Sequence, residues 1–194
     1  MNRTLHRGAA QVARAQLRPS SVAELAAEAR LATIAFKNRY IVECFDRNGN
    51  LKWREDIFNL VHNAGLDDLL DKYFKGSTYT AAWYIGLKGS GTIAAGDTMS
   101  SHAGWSEYTN YSESNRQTLT LGSVSGQAVN NSASKGVFNI NGAGGTVAGA
   151  FIATNNTKGG TTGTLFGTAD FSASRTVVSG DILNVQINLS AASA

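Results

Sequence analysis

The stretch Ile182-Leu183-Asn184-Val185-Gln186-Ile187-Asn188-Leu189 decides the fold class of this chain. Leu183, Val185, Ile187 and Leu189 alternate with Asn184, Gln186 and Asn188, the period of two by which a strand sends successive side chains to opposite faces. It predicts a β-strand with one face in a core and the other in polar surroundings. A one-residue slip in its pairing would invert the two.

Outward from this strand, similar runs recur at short intervals. From Gly76 onward the chain holds 18 of its 21 glycines, mixed with Ser, Thr and Asn, and only five basic and five acidic side chains. Short strands separated by glycine turns are expected, over residues 83–87, 117–121, 135–140, 147–153, 165–170 and 182–189. Such spacing predicts a mainly β fold, an antiparallel β-sandwich or jelly-roll-like domain. Leu, Ile, Val, Phe and Trp recur too regularly here for a disordered tract, and no repeat of roughly 20–50 residues points to a solenoid or propeller.

Two further elements precede the glycine-rich half. Tyr40-Ile41-Val42-Glu43-Cys44-Phe45 and Leu51-Lys52-Trp53-Arg54-Glu55 flank Asp46-Arg47-Asn48-Gly49-Asn50, and Asn48-Gly49 supplies the positive φ angles of a tight hairpin turn. Over residues 59–74, Leu60, Val61, Leu66, Leu69, Leu70, Tyr73 and Phe74 recur at three- and four-residue steps, opposite Asp67, Asp68, Asp71 and Lys72. This is the pattern of an amphipathic helix, with Gly65 as the place where it would loosen. The domain organisation expected is an arm with a short helix over 1–36, then a β-rich domain over 37–194 that contains a hairpin at 40–55, the helix at 59–74 and the sandwich at 79–190.

The arm is distinct in charge. Of a formal net charge of +3, Arg3, Arg7, Arg14 and Arg18 lie in the first 18 residues without one acid. Ser21-Val22-Ala23-Glu24 then fits a capping box, in which hydroxyl and carboxylate each accept a free N–H at a helix start, so an Ala-rich helix is expected over 22–32. Its apolar stripe of Val22, Leu25, Ala29 and Ala32 is too narrow to anchor so short a helix alone. Order in the arm has to come from a partner.

Bulk features narrow the function classes. Cys44 is the single cysteine, which excludes an intramolecular disulfide. No apolar run approaches the roughly 20 residues of a membrane span or the continuous core of a secretory signal. A soluble protein without a membrane partner, made in a reducing cytoplasm, is expected.

No constellation for catalysis, cofactor or metal stands out. His6, His62 and His102 fall in separate segments without metal-ligand spacing, and surface or core histidines are the better reading. Gly122-Ser123-Val124-Ser125-Gly126 puts valine where a nucleophile elbow needs serine, which leaves a β-turn. Lys158-Gly159-Gly160-Thr161-Thr162-Gly163 has its lysine ahead of the glycines, not behind them as a phosphate loop requires, and reads as a flexible loop. Asp67, Asp68 and Asp71 read as a solvated helix face rather than a cation site. The chain is therefore expected to be no enzyme.

Binding residues are the remaining question. Trp83, Tyr84, Trp105, Tyr108 and Tyr111 make an aromatic-rich stretch suited to a β-core, a protein interface or stacking on sugar rings. Trp105 and Tyr108 are the candidate face contacts, and Arg3, Arg7, Arg14 and Arg18 the candidate arm contacts. Nucleic acid is disfavoured as a partner, because a neutral β domain lacks the basic stripe that phosphates require.

The 59–74 segment, Asn59-Leu60-Val61-His62-Asn63-Ala64-Gly65-Leu66-Asp67-Asp68-Leu69-Leu70-Asp71-Lys72-Tyr73-Phe74, followed by Tyr79-Thr80-Ala81-Ala82-Trp83-Tyr84-Ile85-Gly86-Leu87, resembles a family of small tailed-phage virion proteins. The likeness continues through Ala95-Gly96-Asp97-Thr98-Met99-Ser100-Ser101-His102-Ala103-Gly104-Trp105-Ser106-Glu107, Asn131-Ser132-Ala133-Ser134-Lys135, Thr154-Asn155-Asn156-Thr157-Lys158-Gly159-Gly160 and Ser179-Gly180-Asp181-Ile182-Leu183, covering roughly residues 40–194. The resemblance implies a structural role in the virion as a capsid decoration or cement-like protein on the outside of the head. Its partners would be the major capsid protein and neighbouring copies of itself. A neck, collar or fibre subunit is the alternative place in the particle, and a carbohydrate-binding module aiding adsorption is the alternative activity.

Overall fold

A computed structural model describes residues 34–79 and 82–193. The arm, the helix expected over 22–32, and Arg3, Arg7, Arg14 and Arg18 lie outside the described residues.

The spine of the first sheet is β12 (Ile182–Ser193). Leu183, Val185 and Ile187 are fully buried while Asn184, Gln186 and Asn188 are half-buried, as the alternation requires. On one side β12 pairs antiparallel with β2 (Arg39–Phe45), from Ile182↔Phe45 to Asn188↔Arg39. On the other it pairs with β9 (Gly136–Asn139) and β8 (Ala128–Asn130). With β1 (Ile34–Phe36) and β3 (Leu51–Phe58), the main order is β1-β12-β2-β3.

The hairpin of β2 and β3 forms as expected, but of the Asn48-Gly49 pair only the glycine takes a positive φ. Gly49 adopts φ 82°, and the Asp46 carboxylate fixes the turn by accepting the backbone N–H groups of Asn48 (2.8 Å) and Asn50 (2.9 Å).

The second sheet has the order β4-β11-β10-β5-β6, made of β4 (Leu60–Val61), β11 (Leu165–Val177), β10 (Gly145–Ala153), β5 (Tyr84–Gly91) and β6 (Trp105–Tyr108). A short β7 (Gln117–Thr118) pairs with β5. The pairings among β2 to β12 are antiparallel, and the fold is mainly β with two antiparallel sheets, consistent with the β-sandwich expected. Tyr40, Val42, Cys44, Leu183, Val185 and Ile187 from the first sheet meet Ile85, Leu87, Ala150, Ile152 and Ala169 from the second in one core. At about 1.5–3 kcal/mol per buried large apolar side chain, this cluster dominates the stability.

A second cluster explains why β10 reads as a continuous apolar run. Phe151 alternates with Ala150 and Ile152, so it points to the other face of the sheet, where Met99, Trp105, Ala153 and Leu165 cover it.

The helix is shorter than expected. It spans α1 (Asn63–Tyr73), and Leu60 and Val61 are extended instead, paired with Thr168 and Gly167 of β11. Backbone partners on a neighbouring strand outweigh the helical period there. Gly65 does not loosen the helix: it is where α1 rests on the sheet, since a Cβ there would lie 2.6 Å from the Phe166 carbonyl oxygen.

Candidate interaction surface

Trp105 and Tyr108, expected as face contacts, are each 6% exposed. Their spacing of three is odd, so a strand sends them to opposite faces, and both faces of this sheet are covered. Trp105 joins the outer cluster, its ring centroid 5.4 Å from that of Phe151 and its indole N–H donating to Asp97 Oδ2 at 3.0 Å. Tyr108 belongs to the inter-sheet core, where burial pushes its pKa up to about 12. Neither offers surface to a partner.

His62 is a core histidine. Its Nδ1 lies 2.9 Å from the Ala94 carbonyl, which can only accept, so Nδ1 carries the proton. In the neutral ring Nε2 then accepts from the Thr168 hydroxyl at 2.8 Å. Burial lowers its pKa below the usual histidine value. Among the described residues no group of three or more His, Cys, Asp or Glu side chains is placed to hold a metal ion.

The Lys158 loop, expected to be flexible, is tied down at Lys158 and Gly160. Lys158 Nζ donates to the carbonyls of Tyr111 (2.9 Å) and Glu113 (2.7 Å) and lies 4.4 Å from the centre of the Tyr111 ring. Arg116, buried, forms a two-pronged pair with Glu107 (3.0 and 2.7 Å) and donates to the carbonyls of Asn155 and Gly160. These charges are spent on holding loops together.

What remains open is apolar. An apolar groove of about 570 Å³ runs beside α1, lined among others by Leu69, Tyr73, Tyr79, Trp83, Leu121 and Phe166. Adjoining it, the outer face of α1 exposes Leu66 (36%), Leu70 (53%), Tyr73 (80%) and Phe74 (69%). Steps of four, three and one place these four on one arc of the helix. The amphipathic pattern had put them on the core side, but the arc of apolar residues is wider than one contact can cover. Gly65 docks α1 on β11 at Phe166, and Leu66, Leu70, Tyr73 and Phe74 face outward. Singly exposed apolar side chains are ordinary, whereas a contiguous set beside a groove marks a surface made to be covered.

Among the described residues, then, no metal-holding cluster helps to place the protein. No protein-family model matches the chain, and no curated protein and no solved structure matches it either.

Proposed function

We propose that this protein is a structural subunit of a tailed-phage particle, a capsid decoration or cement protein that binds the major capsid protein on the outer surface of the head. The resemblance of residues 40–194 to small virion proteins motivates this reading. The observation that carries it is the apolar face of Leu66, Leu70, Tyr73 and Phe74, continuous with the groove along α1. A domain that consumes Trp105 and Tyr108 in its core yet leaves this face uncovered is built to sit against another protein.

Stabilisation would follow from linkage. A subunit that binds only the assembled shell lowers the free energy of that shell relative to broken or open forms. Modest single contacts, repeated over a lattice, multiply into tight retention. In this scheme Arg3, Arg7, Arg14 and Arg18 extend the contact to an acidic groove of a neighbouring subunit.

The test is to add purified full-length protein to undecorated heads and image the particles. Density on the outer head surface in hundreds of copies is the expected result. A dozen copies or fewer, at the neck or fibres, would move the protein to that part of the particle, and no binding at all would remove it from the virion surface. A chain lacking residues 1–18 that binds as tightly as the full chain would discard the arm contact.

A further inference from the structure

We propose that Asn141 is a site of spontaneous covalent modification, deamidating to aspartate and isoaspartate through attack by the backbone nitrogen of Gly142. Asparagine followed by glycine is the pair best suited to this reaction, because glycine has no Cβ to shield its amide. The sequence holds two such pairs, Asn48-Gly49 and Asn141-Gly142, and the structure separates them.

In conformation and access the two pairs are alike. All four residues are exposed, both glycines sit in turns with positive φ (82° and 56°), and a Cβ built on either would meet nothing within 4 Å. They differ at the attacking nitrogen. The Gly49 N–H donates to the Asp46 carbonyl at 3.0 Å, and the Asp46 carboxylate accepts the neighbouring Asn48 N–H at 2.8 Å. The nucleophile is the deprotonated amide, and a hydrogen-bonded N–H close to a carboxylate gives up its proton reluctantly. The Gly142 N–H has no acceptor among the described residues, and neutral groups hold the turn around it. The Gly144 N–H donates to the Asn141 carbonyl (3.1 Å), the Asn141 N–H to the Asn110 carbonyl (3.2 Å), and the Asn110 side-chain amide to the Gly144 carbonyl (2.8 Å).

The reaction needs only water and hydroxide. Hydroxide takes the Gly142 amide proton, the nitrogen bonds to Asn141 Cγ, and the Cγ–Nδ2 bond breaks with release of ammonia, leaving a cyclic imide. Water opening the ring at the Cγ carbonyl gives aspartate; opening at the α-carbonyl gives isoaspartate, whose main chain runs through Cγ. Either product carries a carboxylate where a neutral amide stood. In isoaspartate the former Asn141 carbonyl, the acceptor for Gly144, leaves the main chain, so the turn joining β9 of the first sheet to β10 of the second loosens.

Peptide mapping by mass spectrometry of the full-length protein, held at mildly alkaline pH, tests the proposal. The peptide containing Asn141 should take on the acid mass several-fold faster than the peptide containing Asn48, at a rate that climbs with pH, and part of the product should be isoaspartate. In enough urea to unfold the chain the two rates should converge, because the Asp46 contacts are gone. Asn141→Gln should abolish the reaction at that position, since the longer side chain closes only a larger and slower-forming ring. The isoaspartyl fraction, separated from the unmodified protein, should melt at a lower temperature. Asn48 reacting as fast as Asn141 in the folded protein, a preference that survives unfolding, absence of isoaspartate at position 141, or an isoaspartyl fraction as stable as the unmodified protein would overturn the proposal.

Discussion

Lys88 reaches over β10 to Asp170: both are register partners of Gly149, Lys88 on β5 and Asp170 on β11, and Lys88 Nζ lies 2.8 Å from Asp170 Oδ1. Lys88 is fully buried and donates to the carbonyls of Gly89 (3.2 Å) and Gly91 (2.6 Å), so its ammonium has two hydrogen-bond acceptors beside the ion pair in place of water. Lys88→Met should cost about 2–3 kcal/mol in urea unfolding, below the full value of a broken buried pair because Asp170 is 40% exposed and rehydrates. Asp170→Asn should cost less, about 1 kcal/mol, since Lys88 keeps its two carbonyls. Equal losses for the two would show that the pair acts only through its mutual charge.

A second buried link joins the two sheets. Glu55 on β3 is 4% exposed and accepts the Ser172 backbone N–H and hydroxyl, each at 3.1 Å, and the Arg175 guanidinium of β11. Burial opposes its ionisation, but these hydrogen bonds outweigh burial and hold its pKa below the usual glutamate value. A depressed acid pKa gives stability that is present above the unfolded value, about 4.3, and lost as pH falls through the folded one. Glu55→Gln should therefore destabilise by about 2–3 kcal/mol at pH 7 and by much less near pH 3. A penalty that stays constant over that range would mean the residue matters by shape, not charge.

How much of this was legible depended on whether one element alone set the outcome. The alternation in Ile182-Leu183-Asn184-Val185-Gln186-Ile187 and the hairpin turn at Gly49 are local, and both appear, although Asn48 does not take the positive φ expected of it. The start of α1 was not local: Leu60 and Val61 suit a helix, but pairing with Gly167 and Thr168 claims them for a strand. The short strands β1, β6 and β8 carry too few residues for a period to show. Aromatic content marked Trp105 and Tyr108 without revealing that both faces of their sheet are covered. Which arc of α1 stays exposed was set by the approach of Gly65 to Phe166, a contact 101 positions away that no window of sequence contains.

The buried His62 predicts a pH dependence of stability near neutrality. Burial lowers its folded pKa below the unfolded value of about 6.5, with the Ala94 carbonyl and the nearby Asp97 carboxylate offsetting part of the effect. Above that pH both states are neutral and the contribution is fully present. Below it the unfolded chain takes up a proton that the folded one resists, so stability falls with pH, by up to about 1.4 kcal/mol per unit from this group. His62→Asn should flatten the change in unfolding free energy between about pH 6.5 and 5. An unaltered slope in that variant would assign the dependence to other groups.

Trp105 separates a packing role from a contact role, because the two make opposite predictions for one substitution. As a member of the cluster with Met99, Phe151, Ala153 and Leu165, it should lose about 3–5 kcal/mol on Trp105→Ala. Trp105→Phe should lose less, about 1–2 kcal/mol, since the ring volume largely remains while Asp97 Oδ2 gives up the indole donor and keeps the Ala94 N–H at 2.9 Å. Head binding by the folded fraction of Trp105→Phe should match that of the unaltered chain, whereas Leu70→Asp, at an exposed position of α1, should leave the unfolding midpoint alone. If Trp105→Phe instead abolishes binding with stability intact, the outer cluster opens to a partner. The surface that docks would then be the face of β6 rather than the flank of α1.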